Sequence, residues 1–347
     1  MLSARVVLSW SSRLGEAHVP CSSGSLGNLE AVQYRRLGRS GVKVSEVGLG
    51  GWLTHGRSLG QDATDSIVNK AFELGINFFD TADVYNLGEA EVALGKAVKP
   101  LRRQDLFIAT KCHFPMSDAP NDRGNSRKHT HESIEGSLRR MELDYVDLYQ
   151  YHRFDPETPI EESVRAMDDL IRSGKILYWG VSLWPAEAIA EAVHIAQSMN
   201  CCPPVSNQPV YNILQRDIEA SVIPTSQKHG LGQVVFSPLA QGVLTGKYKP
   251  SETAPPGTRA SDSSSNTFMG WLMTDETLTK VQNLKPVAEE AGLTLAQLSL
   301  AWCLRQANVS SVIMGATRPE QVVENANASG AIVGEDVWAR IDQVLQS

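Results

Sequence analysis

Nowhere do the 347 residues offer the roughly 20 consecutive apolar positions that a membrane-spanning helix requires, so no membrane insertion is expected. Apolar stretches are short, and glycine or polar residues break them. Basic charge is not in excess either: 32 lysines and arginines stand against 39 acids, a formal net charge of −7. That balance supplies no broad cationic field for nucleic acid or anionic lipid and leaves only local basic pockets, which points to small-molecule partners. Cysteine is scarce. Cys21, Cys112, Cys201, Cys202 and Cys303 are odd in number and show no CxxC spacing, which argues against a disulfide framework and suits a reducing, cytoplasmic setting. No histidine stands at ligand spacing from the adjacent Cys201 and Cys202, and His129 and His131 lack cysteine or carboxylate companions, so no metal site is expected. The cysteine pair reads as two small loop residues, the histidine pair as a solvated helix entry.

What is present is the composition of a globular protein, 42% hydrophobic and 20% charged, enough to bury a sizeable core. Residues 1–31 differ from the rest. They are serine-rich, with Arg5 and Arg13 ahead of the first acid, Glu16, and Val6 to Leu8 form too short an apolar core for a secretory signal. They read as an extension, either disordered or targeting the chain to an organelle, ahead of one domain over residues 32–347.

From there short β-branched runs alternate with longer helical patterns, the mark of βα units around a parallel sheet. Eight runs occur, at 47–49, 78–80, 106–110, 146–149, 177–181, 205–207, 234–237 and 311–314. Helices are expected over 62–73, 128–141, 159–173 and 185–197. Eight strands predict a closed (β/α)8 TIM barrel. Ahead of it, residues 34–36 and 42–44 flank turn residues and predict a β-hairpin that closes the barrel floor. A long loop follows the seventh run, with 250–266 rich in Ser, Pro and Gly, and reads as a lid. The rival is a doubly wound dinucleotide fold. Gly48, Gly50 and Gly51 give only part of its fingerprint, because Leu53 stands where the third glycine belongs and Asp80 comes too late. Those glycines are read instead as letting the first strand's end approach a ligand.

Barrel enzymes keep their chemistry at the C-terminal strand ends. Here the second run ends in Asp80 with Tyr85 beyond it, the third in Lys111, and the fourth leads to His152. Singly these residues suit a turn cap, an interface aromatic, a rim charge and a core histidine. Their joint appearance at successive strand ends is the informative signal. Carbonyl reduction needs a hydride on carbon and a proton on the oxygen where charge develops. A Lys111 ammonium beside Tyr85 is expected to lower the phenol's pKa, with Asp80 orienting the lysine and His152 hydrogen-bonding the substrate carbonyl.

The segment 78–85, FFDTADVY, and the strand ends at Lys111 and His152 closely resemble the aldo-keto reductase superfamily. Residues 120–124, 126–129, 143–149 and 237–248 resemble more narrowly its branch of voltage-gated potassium channel β-subunit-like reductases. The resemblance runs from about Tyr34 to Ala328. It implies that Asp80, Tyr85, Lys111 and His152 are a catalytic tetrad and that NADPH/NADP+ is the cofactor. It implies further that Ser182, Asn207 and Gln208 bind the carboxamide and that Phe236, ahead of Ser237, Pro238 and Leu239, stacks on the nicotinamide. Gly315, Thr317 and Arg318 open a helix whose start suits the adenosine 2′-phosphate. Gln321, Glu324 and Asn325 match adenine-side positions, and Lys247 and Arg259 flank the long loop over the pyrophosphate. Trp52, His113, Phe114, Phe154 and Trp184 are expected to rim a pocket for an aldehyde or ketone. The branch permits a homo-oligomer and a channel partner. Its channel-regulating members commonly depart from histidine at the position of His152, which favours an enzyme here.

Overall fold

The computed structural model describes residues 32–52, 59–262, 266 and 269–346. The extension expected over 1–31 lies outside them. Two short strands come first, β1 (Tyr34–Arg36) and β2 (Lys43–Ser45), paired antiparallel with Arg35 opposite Val44. Eight parallel strands follow: β3 (Val47–Gly50), β4 (Phe78–Asp80), β5 (Phe107–Cys112), β6 (Val146–Tyr151), β7 (Ile176–Ser182), β8 (Ser206–Gln208), β9 (Gly232–Phe236) and β10 (Val309–Met314). They close in chain order, with β10 beside β3. The helices are α1 (Gln61–Glu73), α2 (Glu89–Val98), α3 (Arg127–Met141), α4 (Ile160–Arg172), α5 (Ala186–Ser198), α6 (Val222–His229), α7 (Asp275–Glu290), α8 (Leu295–Leu304), α9 (Pro319–Ala326) and α10 (Glu335–Gln346). All eight expected runs are barrel strands, and the four expected helices are α1, α3, α4 and α5.

Local sequence explains the outer layer. In α4, Ile160, Val164, Met167 and Leu170 recur at helical spacing and all are buried, each such side chain stabilising the fold by about 1.5–3 kcal/mol. α3 starts where Ser126 caps the His129 amide and stops where Glu142 turns left-handed at φ 55°. His129 corrects the expectation of a solvated helix entry. It is buried, with Nδ1 3.5 Å from Oδ1 of Asp122 in the β5 exit loop, a carboxylate neighbour the sequence did not reveal, and neither ring nitrogen makes a hydrogen bond among the described residues.

Inside the barrel a second core gathers Phe78, Phe107, Ala109, Leu148, Val234 and Ile313. Leu37 and Val44 of the hairpin join it from below, so the hairpin closes the floor. Gly48 and Gly50 belong to this packing too. A Cβ on Gly50 would stand 2.6 Å from Cγ2 of Ile313, and one on Gly48 would meet Ile313, Ser311 and Phe78 at 3.2–3.4 Å. Their small size makes room for a core side chain rather than for a ligand, which corrects the sequence-based expectation.

Candidate active site

Strand alternation decides which side chains reach the mouth. Phe78 lies inside the barrel and Phe79 in the outer layer, so Asp80, next in the alternation, faces in at the strand's end. By the same count Phe107 and Ala109 carry Lys111 inward, and Leu148 leads through Gln150 to His152. Lys111 is fully buried, and its ammonium spends all three donors. It bonds Oδ2 of Asp80 at 2.7 Å, the Thr81 carbonyl at 2.7 Å and the Tyr85 hydroxyl at 3.4 Å. The other Asp80 oxygen accepts from the Gln208 side-chain amide at 2.9 Å. The His152 ring meets the Tyr85 ring edge-on, centroids 5.6 Å apart, and Phe114 at 5.0 Å.

Tyr85 reaches this point through a sharp turn in which Asn86 and Leu87 both adopt left-handed backbone, at φ 50° and 51°. Such conformations cost of order 1–3 kcal/mol each for non-glycine residues, so the surroundings must hold them. Buried Asp83 accepts from Ser133 of α3 at 2.7 Å, and buried Glu91 accepts from Arg140 of the same helix at 2.6 Å. Both bonds clamp the Tyr85 turn onto α3.

Burial is the largest influence on Tyr85 and raises its phenol above the ordinary value. Lys111 opposes the rise without cancelling it, and Asp80 adds to it. The expected net lowering by Lys111 is therefore corrected: the lysine acts in that direction, and desolvation outweighs it. On Lys111 burial pulls the ammonium down, but Asp80 and Tyr85 pull it up harder, and it ends above free lysine. Burial, then the charges of Lys111 and Arg153, hold the His152 imidazole well below its usual value, so it is neutral at pH 7.

The remaining expected residues divide. Ser182 is buried at the end of β7 and donates to the Gln208 carbonyl at 2.8 Å, and Phe236 is half-buried at the end of β9. Ser237, left-handed at φ 57°, holds Gln241, whose side chain also binds Arg259. The Arg259 guanidinium lies 5.8 Å from the centre of the Trp52 ring, so this part of the long loop spans from the β9 exit to the β3 exit. Pro238 is buried, Leu239 half-buried and Lys247 exposed. Gly315, Thr317 and Arg318 are exposed at the β10 exit, where Gln321 accepts from the Thr317 amide at 2.8 Å. Glu324 is exposed on α9 and Asn325 buried on it.

Asn207 does not join the mouth. Ser206 and Gln208 face in, so Asn207 faces out and donates to Gln233 at 3.1 Å. Trp184 is likewise elsewhere: only 2% exposed, it stacks on Tyr151 in the outer core, with Phe154 edge-on to it. Phe114 and His113 stay at the β5 exit, His113 against Asn125 at 3.0 Å. One residue that sequence reasoning missed does reach the site. Arg153 lies over the Phe114 ring at 5.2 Å, and only its adjacency to His152 could have signalled it.

A closed parallel barrel with an acid, a phenol, an ammonium and an imidazole converging at its C-terminal mouth defines a (β/α)8-barrel protein with an enzyme-like site. The chain belongs to the aldo/keto reductase family, whose model matches residues 46–346, and oxidoreductase chemistry follows in general terms. It is similar to a "Probable voltage-gated potassium channel subunit beta" of Oryza sativa subsp. japonica, 42% identical over 321 residues, covering 91% of this chain and 97% of that one. A protein of the same description from Arabidopsis thaliana is 44% identical with the same coverage. A "Putative voltage-gated potassium channel subunit beta" of Schizosaccharomyces pombe is 44% identical over 325 residues, 90% of this chain and 93% of that one.

Proposed function

We propose that this chain reduces aldehydes or ketones to alcohols with NADPH, and that Tyr85 delivers the proton. The observation that carries the proposal is the buried Lys111 ammonium bonded to both Asp80 and the Tyr85 hydroxyl. Tyr85 keeps its proton through neutral pH and releases it as charge develops on the carbonyl oxygen, because Lys111 stabilises the phenolate that remains. Asp80 keeps Lys111 charged. Neutral His152 donates a hydrogen bond that orients the carbonyl, and Phe114 packs beside it.

No side chain supplies a hydride, and NADPH, when bound, does so. The residues fit such a group. Gly315 has open space where a Cβ would stand, and Arg318 begins α9 with no side-chain capping bond. Arg259 is half-buried and forms no ion pair among the described residues, leaving its charge available for a phosphate. Ser182, Gln208 and Phe236 would hold the nicotinamide end, and Lys247, Arg259 and Arg318 the phosphates.

An aldehyde and ketone panel with NADPH and with NADH tests this reading. Turnover with NADPH is expected, and none with any carbonyl would overturn it. The relatives' descriptions favour a second reading, a nicotinamide-binding channel subunit with little turnover. Co-purification with a membrane channel, without carbonyl reduction, would favour it.

A further inference from the structure

Arg153 sits just past β6, next to His152, on the wall of the same mouth. Its guanidinium lies over the Phe114 ring at 5.2 Å, and Phe114 in turn meets His152 at 5.0 Å. One nitrogen, Nη1, donates to the His152 carbonyl at 2.5 Å. That leaves most of the five N–H donors of the fork uncommitted to any hydrogen bond found here.

The charge is unpaired as well. Apart from Arg259 in the long loop, the other partly buried arginines have an acid: Arg35 has Glu46, Arg103 has Asp147, Arg140 has Glu91, Arg165 has Asp168, and Arg216 has Glu219 and Asp342. Arg153 forms no ion pair among the described residues. Asp155, two residues on, is engaged by the Asn125 amide at 2.8 Å, Thr158 at 2.7 Å and the Glu157 amide at 3.0 Å. Asp80 already has a partner on each oxygen, Lys111 on Oδ2 and Gln208 on Oδ1. Burial lowers the guanidinium's pKa from its usual value, and Tyr85 offsets this only in part.

Position separates this cation from those assigned to the cofactor. In the ring of eight strands β6 lies four places from β10 in either direction, so Arg153 faces Arg318 from the opposite side of the mouth. Its field reaches Tyr85. We propose that Arg153 anchors an oxyanion on the substrate, a carboxylate or phosphate, so that the compound reduced at Tyr85 is an anionic aldehyde or ketone. A planar fork beside an aromatic wall is suited to hold such a group in two parallel hydrogen bonds. This inference rests on the reductase reading.

The test compares 4-carboxybenzaldehyde with its methyl ester, at saturating NADPH, in the parent enzyme and in Arg153→Gln and Arg153→Lys. The parent should prefer the acid by about ten- to a hundredfold in kcat/KM, chiefly through KM, as expected for a charge-assisted pair. Arg153→Gln should bring the preference close to unity, and Arg153→Lys should restore part of it. Glyceraldehyde 3-phosphate against glyceraldehyde then tells whether phosphate serves as the oxyanion. Benzoate and benzamide binding, followed by calorimetry in the same three proteins, needs no turnover. Reduction of both aldehydes without preference, or a preference that survives Arg153→Gln, overturns the anchor. Arg153-dependent benzoate binding with no reduction of any aldehyde overturns the reductase reading and leaves the anchor standing. Failure of both measurements overturns both.

Discussion

The amide of Gln208, at the end of β8, donates to Oδ1 of Asp80 at the end of β4, while Oδ2 of the same carboxylate takes the Lys111 ammonium. Asp80 thereby ties opposite sides of the mouth together around one buried ion pair, with its partners 0% and 4% exposed. Replacing Asp80 with Asn leaves the ammonium buried without its counter-charge, which costs about 3–5 kcal/mol. Urea denaturation should show a lower midpoint for Asp80→Asn by that order. An unchanged midpoint would mean the pair contributes nothing.

Tyr85→Phe removes one hydroxyl and keeps the ring that packs on His152. Carbonyl reduction is expected to fall by about 10²–10⁴-fold, the usual worth of a positioned acid, while NADPH binding followed by fluorescence stays unchanged. Full turnover in this variant would exclude Tyr85 as donor.

At the β10 exit, the Arg318 side chain is well exposed, and its ion pair with Glu320 is long, 3.8 Å. So weak a surface pair leaves the guanidinium free to turn to a phosphate. Arg318→Ala should weaken NADPH by about ten- to a hundredfold and NADH far less, since only the former carries the 2′-phosphate. Equal losses in titrations of the two dinucleotides would remove the assignment.

Gly50→Ala would push a methyl group to 2.6 Å from Ile313, a branched side chain that cannot swing away within the barrel. A loss of about 1–3 kcal/mol is expected on thermal or urea unfolding. Retained stability would show that the floor of the mouth is looser than its packing indicates.

Asp83 lies behind Tyr85, its carboxyl pushed up to about 7 by burial first and by neighbouring Glu91 second, against Ser133, the Val84 amide and Arg140. Because this pKa is raised on folding, the native state holds the proton more tightly than the unfolded chain does. Asp83 therefore erodes stability as pH climbs from about 4 to about 7, and the loss levels off above that. Asp83→Asn, which cannot ionise, should gain stability over the parent between pH 5 and pH 8. A constant difference between the two across that range would contradict the assignment.

Much of the architecture was legible along the chain. Hydrophobic period marked all eight barrel strands, turn residues marked the hairpin, and the order of Asp80, Tyr85, Lys111 and His152 at strand ends marked the mouth. These are local signals, carried by neighbours a few residues apart. Three features were not local. The direction of Asn207 depends on which face of β8 lines the barrel, and that is set by its register with β7 and β9. The burial of Trp184 depends on Tyr151, a residue of the preceding strand. The balance at Tyr85 depends on how much solvent the assembled mouth excludes. Sequence alone determined which chemical groups stand at the strand ends. Only the tertiary structure decided which of them face inward, which charges are spent on one another, and that Arg153 has no acidic partner among the described residues. Desolvation and pairing are properties of surroundings that the chain creates only by closing the ring.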